Sequence, residues 1–260
     1  MRKYIVIFRM AARDQLAYLP SFAFRNLFFV IVLFIFHSLW RVVFGEQPTV
    51  AGFSMTQALW YLTFTEAIEL SQSRIFRPIS EEVKDGTVAY GLVRPFSYGA
   101  YWLVRGLGES VVKIVPILIV GFLFATLFVG PLPGYLAALP AGLLVMFLGL
   151  VQGLLLQTLI GLLAFWFEEV SPFFWILQKL VFVLGGMFFP IDFFPEWIQA
   201  FAKLSPFAFS AYWPATTMVA FTAERFLTTL AGQLAYIGLF ALATAAVYSS
   251  AVRRVHAHGG

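Results

Sequence analysis

The chain contains no cysteine, only three histidines and few charges, and each shortage removes a class of function. Without cysteine there is no disulfide, no thiolate metal site and no cysteine nucleophile. The dipeptide Gly-Lys never occurs, so a Walker A phosphate loop is excluded and the chain cannot bind nucleotide by that means. HExxH and GxSxG are missing as well, and His37, His256 and His258 are too scattered to build histidine-based catalysis. Charged residues make up 12% against 61% hydrophobic, with a mean hydropathy of +0.86, which excludes a soluble globular domain. No series of alternating ten-residue segments is present, so an outer-membrane barrel is excluded too.

What is there is a series of apolar runs long enough to cross a bilayer as helices. The expected fold is an all-α polytopic membrane protein whose six spans cover residues 22–44, 55–73, 107–129, 135–167, 173–189 and 226–250. Residues 1–20 place apolar side chains at helical spacing between Arg2, Lys3, Arg9, Arg13 and Asp14, the pattern of a helix lying in the membrane surface. A plain basic tail before the first span is the alternative. Residues 190–225 are apolar and aromatic, but Pro190, Pro195, Pro206 and Pro214 break them. Those prolines rule out one straight crossing and suggest short re-entrant helices anchored by Trp197, Tyr212 and Trp213.

The largest polar island is residues 74–105, with Arg74, Arg77, Lys84, Arg94 and Arg105 against Glu81, Glu82 and Asp85. Each ionised side chain costs about 2.5 to 3.5 kcal/mol at the bilayer centre, so the island lies outside the hydrocarbon. Pro78, the acids after it and Gly86 are start and stop signals for one or two helical turns. The second span is the least apolar, with Thr65, Glu66, Glu69, Gln72 and Ser73 on a polar face. Parity requires it: a basic N-terminus and a basic island on one side of the membrane need an even number of crossings between them. On this topology twelve of the 17 Lys and Arg are cytoplasmic and three external, a bias that explains the net charge of +4 with no nucleic-acid partner.

Four ionisable residues fall at matching depth near the cytoplasmic ends of the second and third spans: Glu66 and Glu69 on one, Glu109 and Lys113 on the other. They can form an intramembrane ion pair that fixes one span against the other, or they can line a pathway and exchange protons. In the fourth span Gly149, Gly153, Gln157 and Gly161 recur every four residues, a stripe suited to close helix packing first and to a dimer contact second.

In topology, the chain resembles the permeases of the ABC-2 type exporter family. The local matches are Gly186, Met187, Phe188, Phe189, Pro190, Ile191, Asp192, Phe193, Phe194, Pro195, Glu196 and Trp197 after the fifth span, with Asp85, Gly86 and the run Leu92, Val93, Arg94, Pro95 in the island. The resemblance implies an N-terminal interfacial helix and a multi-pass protein of the bacterial plasma (inner) membrane with both termini cytoplasmic. It implies a coupling helix at Ser80, Glu81, Glu82, Val83, Lys84, Asp85 and Gly86, pressed by a separate cytoplasmic ABC ATPase. The chain itself would then be no enzyme and hold no cofactor, ATP and Mg being bound by that partner. A second permease subunit, identical or homologous, would complete a pathway among membrane lipid for export of a hydrophobic or amphipathic compound. Two readings from other classes are a polytopic enzyme acting on lipid and a proton-coupled secondary carrier, although no inverted repeat supports the latter. Because the chain has no cysteine, one introduced at Lys84 is a clean reporter: an impermeant thiol reagent added outside intact cells is expected to leave it unlabelled, and external labelling would overturn the topology.

Overall fold

The computed structural model describes residues 2–17, 19–92 and 97–258. Helix makes up 83% of the structure, and among the described residues there is no strand, only a bridge from Val50 to Phe53. The first helix, α1 (Arg2–Leu16), is followed by α2 (Leu19–Phe44), which leads away from it to the tight turn at residues 45–54. Helix α3 (Met55–Ser71) returns, started by a capping box in which Ser54 Oγ accepts from the Gln57 N–H and the Gln57 side chain accepts from the Ser54 N–H. Two short helices, α4 (Phe76–Lys84) and α5 (Val88–Leu92), then lie at the same end of the bundle as α1. This is called the near end below.

From the near end α6 (Tyr98–Val129) runs the length of the bundle, and α7 (Tyr135–Leu162) runs back, extended by a 3-10 turn to Phe165. Helix α8 (Ser171–Leu184) goes only part of the way out before Gly185 and Gly186 stop it, the latter at φ +61°. Three short helices follow, α9 (Glu196–Leu204), α10 (Pro206–Ser210) and α11 (Tyr212–Val219), and α12 (Ala223–His258) closes the chain.

Four stretches are long and apolar enough to cross a membrane: Phe22–Phe44, Tyr98–Val129, Tyr135–Phe165 and Ala223–Arg253. The expected second and fifth spans are the shorter α3 and α8, of 17 and 14 residues. The third begins at Tyr98 rather than at 107, because Tyr98 and Trp102 in the first turns of α6 are buried against Ile75, Ile79, Val88 and Leu154. The island's helix likewise begins earlier than its proline suggests, at Phe76, with Pro78 in its first turn where a missing N–H is harmless. Gly86, at φ +77°, ends that turn. Of the run Leu92, Val93, Arg94 and Pro95, the last three lie outside the described residues.

Helix α3 is the centre of the bundle. Twelve of its 17 residues are buried, among them Trp60, Tyr61 and Leu62, which pack with Phe29 and Leu33 of α2, Ile117 of α6 and Met146 of α7. Its polar side chains answer backbone groups elsewhere. Thr56 donates to the Val129 carbonyl (3.0 Å) and the Trp60 indole to that of Gly130 (3.0 Å), which satisfies the C-terminal end of α6. Tyr61 and Thr65 donate to the carbonyls of Gly186 and Met187, freed where α8 stops. Buried carbonyls in an apolar bundle need such donors, since leaving one unpaired costs about 1 to 3 kcal/mol.

The glycine stripe of α7 is filled by the chain's own helices rather than left for a second copy. Gly142 faces Met218 of α11, Gly149 the Ser210 carbonyl at the turn after α10, Gly153 the Gln72 side chain and Gly161 Ile79 of α4. With the Gln152 amide donating to the Pro206 carbonyl (2.6 Å) and Gln57 to that of Val219 (3.4 Å), these contacts show the course of the proline-broken segment. It reaches halfway down α7 at α10 and climbs back along α11 to the first turn of α3. A methyl group on Gly149 would lie 2.6 Å from the Ser210 carbonyl oxygen, while one on Gly238 of α12 would meet nothing within 4 Å. Gly149→Ala is therefore expected to lower stability by about 1 to 3 kcal/mol and Gly238→Ala to leave it level or raise it, read by thermal unfolding in detergent.

Candidate functional site

A cavity of about 850 Å³ opens at the near end between α2, α3, α6 and α8. Helices α2 and α8 have little direct contact, and the gap between them is closed toward the far end by Phe36 stacked on Phe188 at 5.3 Å. Aromatic side chains from both helices, Phe28, Phe36, Phe174 and Phe182, make much of the wall. The rest of the lining is strongly polar for a membrane bundle.

Hydrogen bonds set the depth of each charge. The Ser73 N–H donates to Ser110 Oγ (3.1 Å) and the Arg25 guanidinium to the Leu70 carbonyl (2.7 Å), which registers α3 against α6 and α2. With α3 and α6 antiparallel and about 1.5 Å of rise per residue, three levels result. At the mouth are Arg74, Arg105 and Glu109. One turn deeper are Arg25, Lys113 and Glu69. Deepest is Glu66, which is 2% exposed and whose Oε1 has no hydrogen-bond partner.

The four ionisable residues singled out in the sequence all line this cavity, but the pair they form is not one between spans. Lys113 Nζ lies 3.7 Å from Glu109 Oε2 and Arg105 Nε 3.3 Å from Glu109 Oε1, all on α6. What crosses from α3 to α6 is the hydroxyl of Ser73, donating to Glu109. The reason is register. Glu109 sits one turn from Lys113 on one helix face, whereas Glu69 faces α8, where its carboxylate accepts from the Gln178 amide at 3.5 Å. Sequence reading singled out Gln72 on the polar face of the second span, but it missed Arg25 and Gln178 and read Gln157 only as part of a packing stripe. Gln157 donates to the Gln72 side chain at 3.0 Å, so the one polar member of the glycine stripe belongs to the cavity. Lys179 of α8, also inside an expected span, is exposed and does not line the cavity; its ammonium lies over the ring of Phe182, which does.

Next to the mouth, α4 is docked by one face and open on the other. Ile79 packs on Gly161 of α7, and Phe76 stacks on Phe174 of α8 at 4.1 Å with Arg74 over the same ring. Two polar bonds extend the hold: Glu82 accepts from the Tyr98 hydroxyl at 2.7 Å, and Lys84 pairs with Glu169 before α8 at 3.0 Å. The Ser171 hydroxyl and N–H, with Lys84, keep the Glu169 carboxyl down at about 2. The Thr87 hydroxyl and N–H likewise hold the Asp85 carboxyl low where α4 ends. Left facing outward are Arg77, Glu81 and Asp85, followed by Tyr90 of α5, which is 72% exposed.

An amphipathic helix is thus clamped across the near end of a bundle of apolar helices. The family described as ABC-2 family transporter proteins matches residues 27–259. The chain belongs to that family. No curated protein resembles it closely enough to count as a match. As an ABC-2 transporter protein it is a membrane component of a transport system, and the family implies association with ABC ATPase partners. Helix α1, which packs on α6 where Gly108 lies against the Phe8 carbonyl, falls outside the matched range.

Glu109 is the only carboxylate within ion-pair distance of a cation in the cavity, among the described residues, and it serves both Arg105 and Lys113. Glu109→Gln is expected to destabilise the chain by about 2 kcal/mol or more, less than the full cost of breaking a buried pair because 21% of the Glu109 side chain stays exposed. Lys113→Met removes a cation and leaves Glu109 with Arg105, so its effect should be smaller. Thermal unfolding that ranked the two the other way would sink the hub role of Glu109.

Proposed function

We propose that this chain is the permease subunit of an ATP-driven exporter in a bacterial inner membrane, with α4 as the element through which a separate ATPase moves it. The observation that carries the proposal is the two-sided character of α4: its apolar face is packed across α7 and α8, and its outer face presents Arg77, Glu81 and Asp85. A side chain that a rigid helix turns outward is available to a protein partner, and a helix stacked on Phe174 carries α8 with it when pushed. Closure of the ATPase would then become rigid-body tilting of α8 beside the cavity.

On this reading six segments cross the membrane: α2, α3, α6, α7, α12, and α8 together with the residues after it as far as Phe193, which packs beside Trp40 and Phe53 at the far end. Helix α3 spans about 25 Å at 17 residues, close to the hydrocarbon thickness of about 30 Å, and needs little apolar surface because it is enclosed by protein. The near end and both termini face the cytoplasm, in keeping with the excess of Lys and Arg there. Segment 190–225 dips from the outer side, and α1 lies in the inner interface with Ile5, Val6 and Met10 exposed to lipid. ATP and magnesium belong to the ATPase, and a second permease, identical or homologous, faces the gap between α2 and α8 to complete the pathway. The cargo is a hydrophobic or amphipathic compound.

Among Ser80, Glu81, Glu82, Val83, Lys84, Asp85 and Gly86, Glu81 is the residue proposed to meet the ATPase. Ser80 is buried, and Glu82 and Lys84 are engaged within the chain, while Glu81 takes part in no side-chain hydrogen bond or ion pair among the described residues. Purified from the membrane, the chain is expected to bring an ABC ATPase with it. Glu81→Lys should cut permease-stimulated hydrolysis by about tenfold without changing the chain's own unfolding temperature, whereas Glu82→Ala should lower that temperature through the lost Tyr98 bond. A complex that stays fully coupled in the double variant Glu81→Lys, Tyr90→Ala would remove α4 as the contact.

A further inference from the structure

The cavity carries a charge pattern that the export reading leaves unused. Its upper two levels hold four cations, Arg25, Arg74, Arg105 and Lys113, against Glu109 and Glu69. Its deepest level holds Glu66 alone, whose Oε1 is buried with no hydrogen-bond partner. No other titratable side chain lines the cavity among the described residues.

Each simple ligand class fails one half of this pattern. An apolar cation would pass four positive side chains before reaching Glu66. An anion would be held by Arg25 and Lys113 but would bring its charge beside Glu69 and leave the deep acceptor of Glu66 unpaired, which is unfavourable for a buried polar group. A molecule with an anionic group and, a short link away, an amino group satisfies both. Glu66 lies four residues below Leu70, the residue whose carbonyl Arg25 holds, about 6 Å along the helix axis. A two-carbon link between phosphate and amine spans that rise. The apolar part of such a molecule would lie against Phe28 and Phe182 and leave through the gap between α2 and α8.

The geometry points to a zwitterionic amphiphile as the compound this cavity takes, its phosphate held by Arg25 and Lys113 and its ammonium donating to Glu69 and Glu66. The inference rests on the export reading and gives it a substrate class. The same head chemistry occurs on a membrane lipid and on a soluble phosphoamine, and the test separates them.

The full chain in phosphatidylcholine nanodiscs is titrated with dihexanoyl phosphatidylethanolamine, dihexanoyl phosphatidylglycerol and O-phosphoethanolamine. Native mass spectrometry counts what is bound, with empty discs subtracted. The ethanolamine lipid is expected to bind about tenfold or more tightly than the glycerol lipid, the gain of charge-assisted hydrogen bonds from its ammonium. Glu66→Gln and Glu69→Gln should each erase that preference while the phosphate still binds, and Lys113→Met should weaken both lipids alike. Should Glu66→Gln fail to fold, Glu69→Gln carries the test. Binding of O-phosphoethanolamine as tight as that of the lipid supports a soluble zwitterion, and tighter binding of the lipid supports a membrane amphiphile. Equal binding of the two lipids by the unaltered chain, or a preference that survives both carboxylate variants, overturns the inference. ATPase co-purification and stimulated hydrolysis are read in the same preparations. Coupling without a headgroup preference removes the substrate class alone, and a preference without coupling removes the export reading alone.

Discussion

A helix that hardly meets lipid can carry polar side chains through the middle of a membrane bundle, and α3 is that helix. Its Thr56, Trp60, Tyr61 and Thr65 donate to backbone carbonyls at two breaks, the end of α6 and the stop after α8. Without those donors the breaks would leave unpaired carbonyls in an apolar interior, where no water replaces them. The breaks in turn let α8 be short and let the segment after it fold back along α7. The site follows from the same constraint: where α3 ends, its polar face has no more carbonyls to answer, and Glu66, Glu69 and Gln72 line a cavity instead.

The near end joins that cavity to a surface. Phe76 and Phe174 are stacked face to face, and Phe174 also lines the cavity, so one aromatic contact connects α4 with the wall of the site. The Lys84 to Glu169 pair is exposed and adds little stability by itself, since surface ion pairs contribute about 0 to 1 kcal/mol. Its geometric effect is larger: it links the end of α4 to the turn before α8. The Tyr98 hydroxyl on Glu82, and Tyr98 stacked on Tyr248 at 6.0 Å, extend the connection to α6 and α12.

Hydropathy made the long spans legible because lipid-facing helices must be apolar along most of their length. Charge made the island legible because ionised groups cannot stay in hydrocarbon. The glycine stripe of α7 was legible as a packing surface, yet its partners were not, since a small-residue pattern states that something approaches closely and not what. The ion pair shows the same limit. Spacing placed Glu109 and Lys113 one turn apart, and it also placed Glu66 and Glu69 at a similar depth. Only the rotation of α3, which turns Glu69 toward Gln178, decided between the two pairings.

By itself the sequence determined that the chain is a helical membrane protein, where its polar island lies, and that it has no nucleotide loop of its own, because composition and periodicity report directly on the solvent each segment meets. Tertiary structure alone decided which charges share a cavity, which face of α4 stays open, and that Arg25, Gln157 and Gln178, far apart in the chain, converge with Glu66 and Glu69. Those outcomes depend on the rotation and register of packed helices. Both are set by contacts between side chains distant in sequence, and no local pattern encodes them.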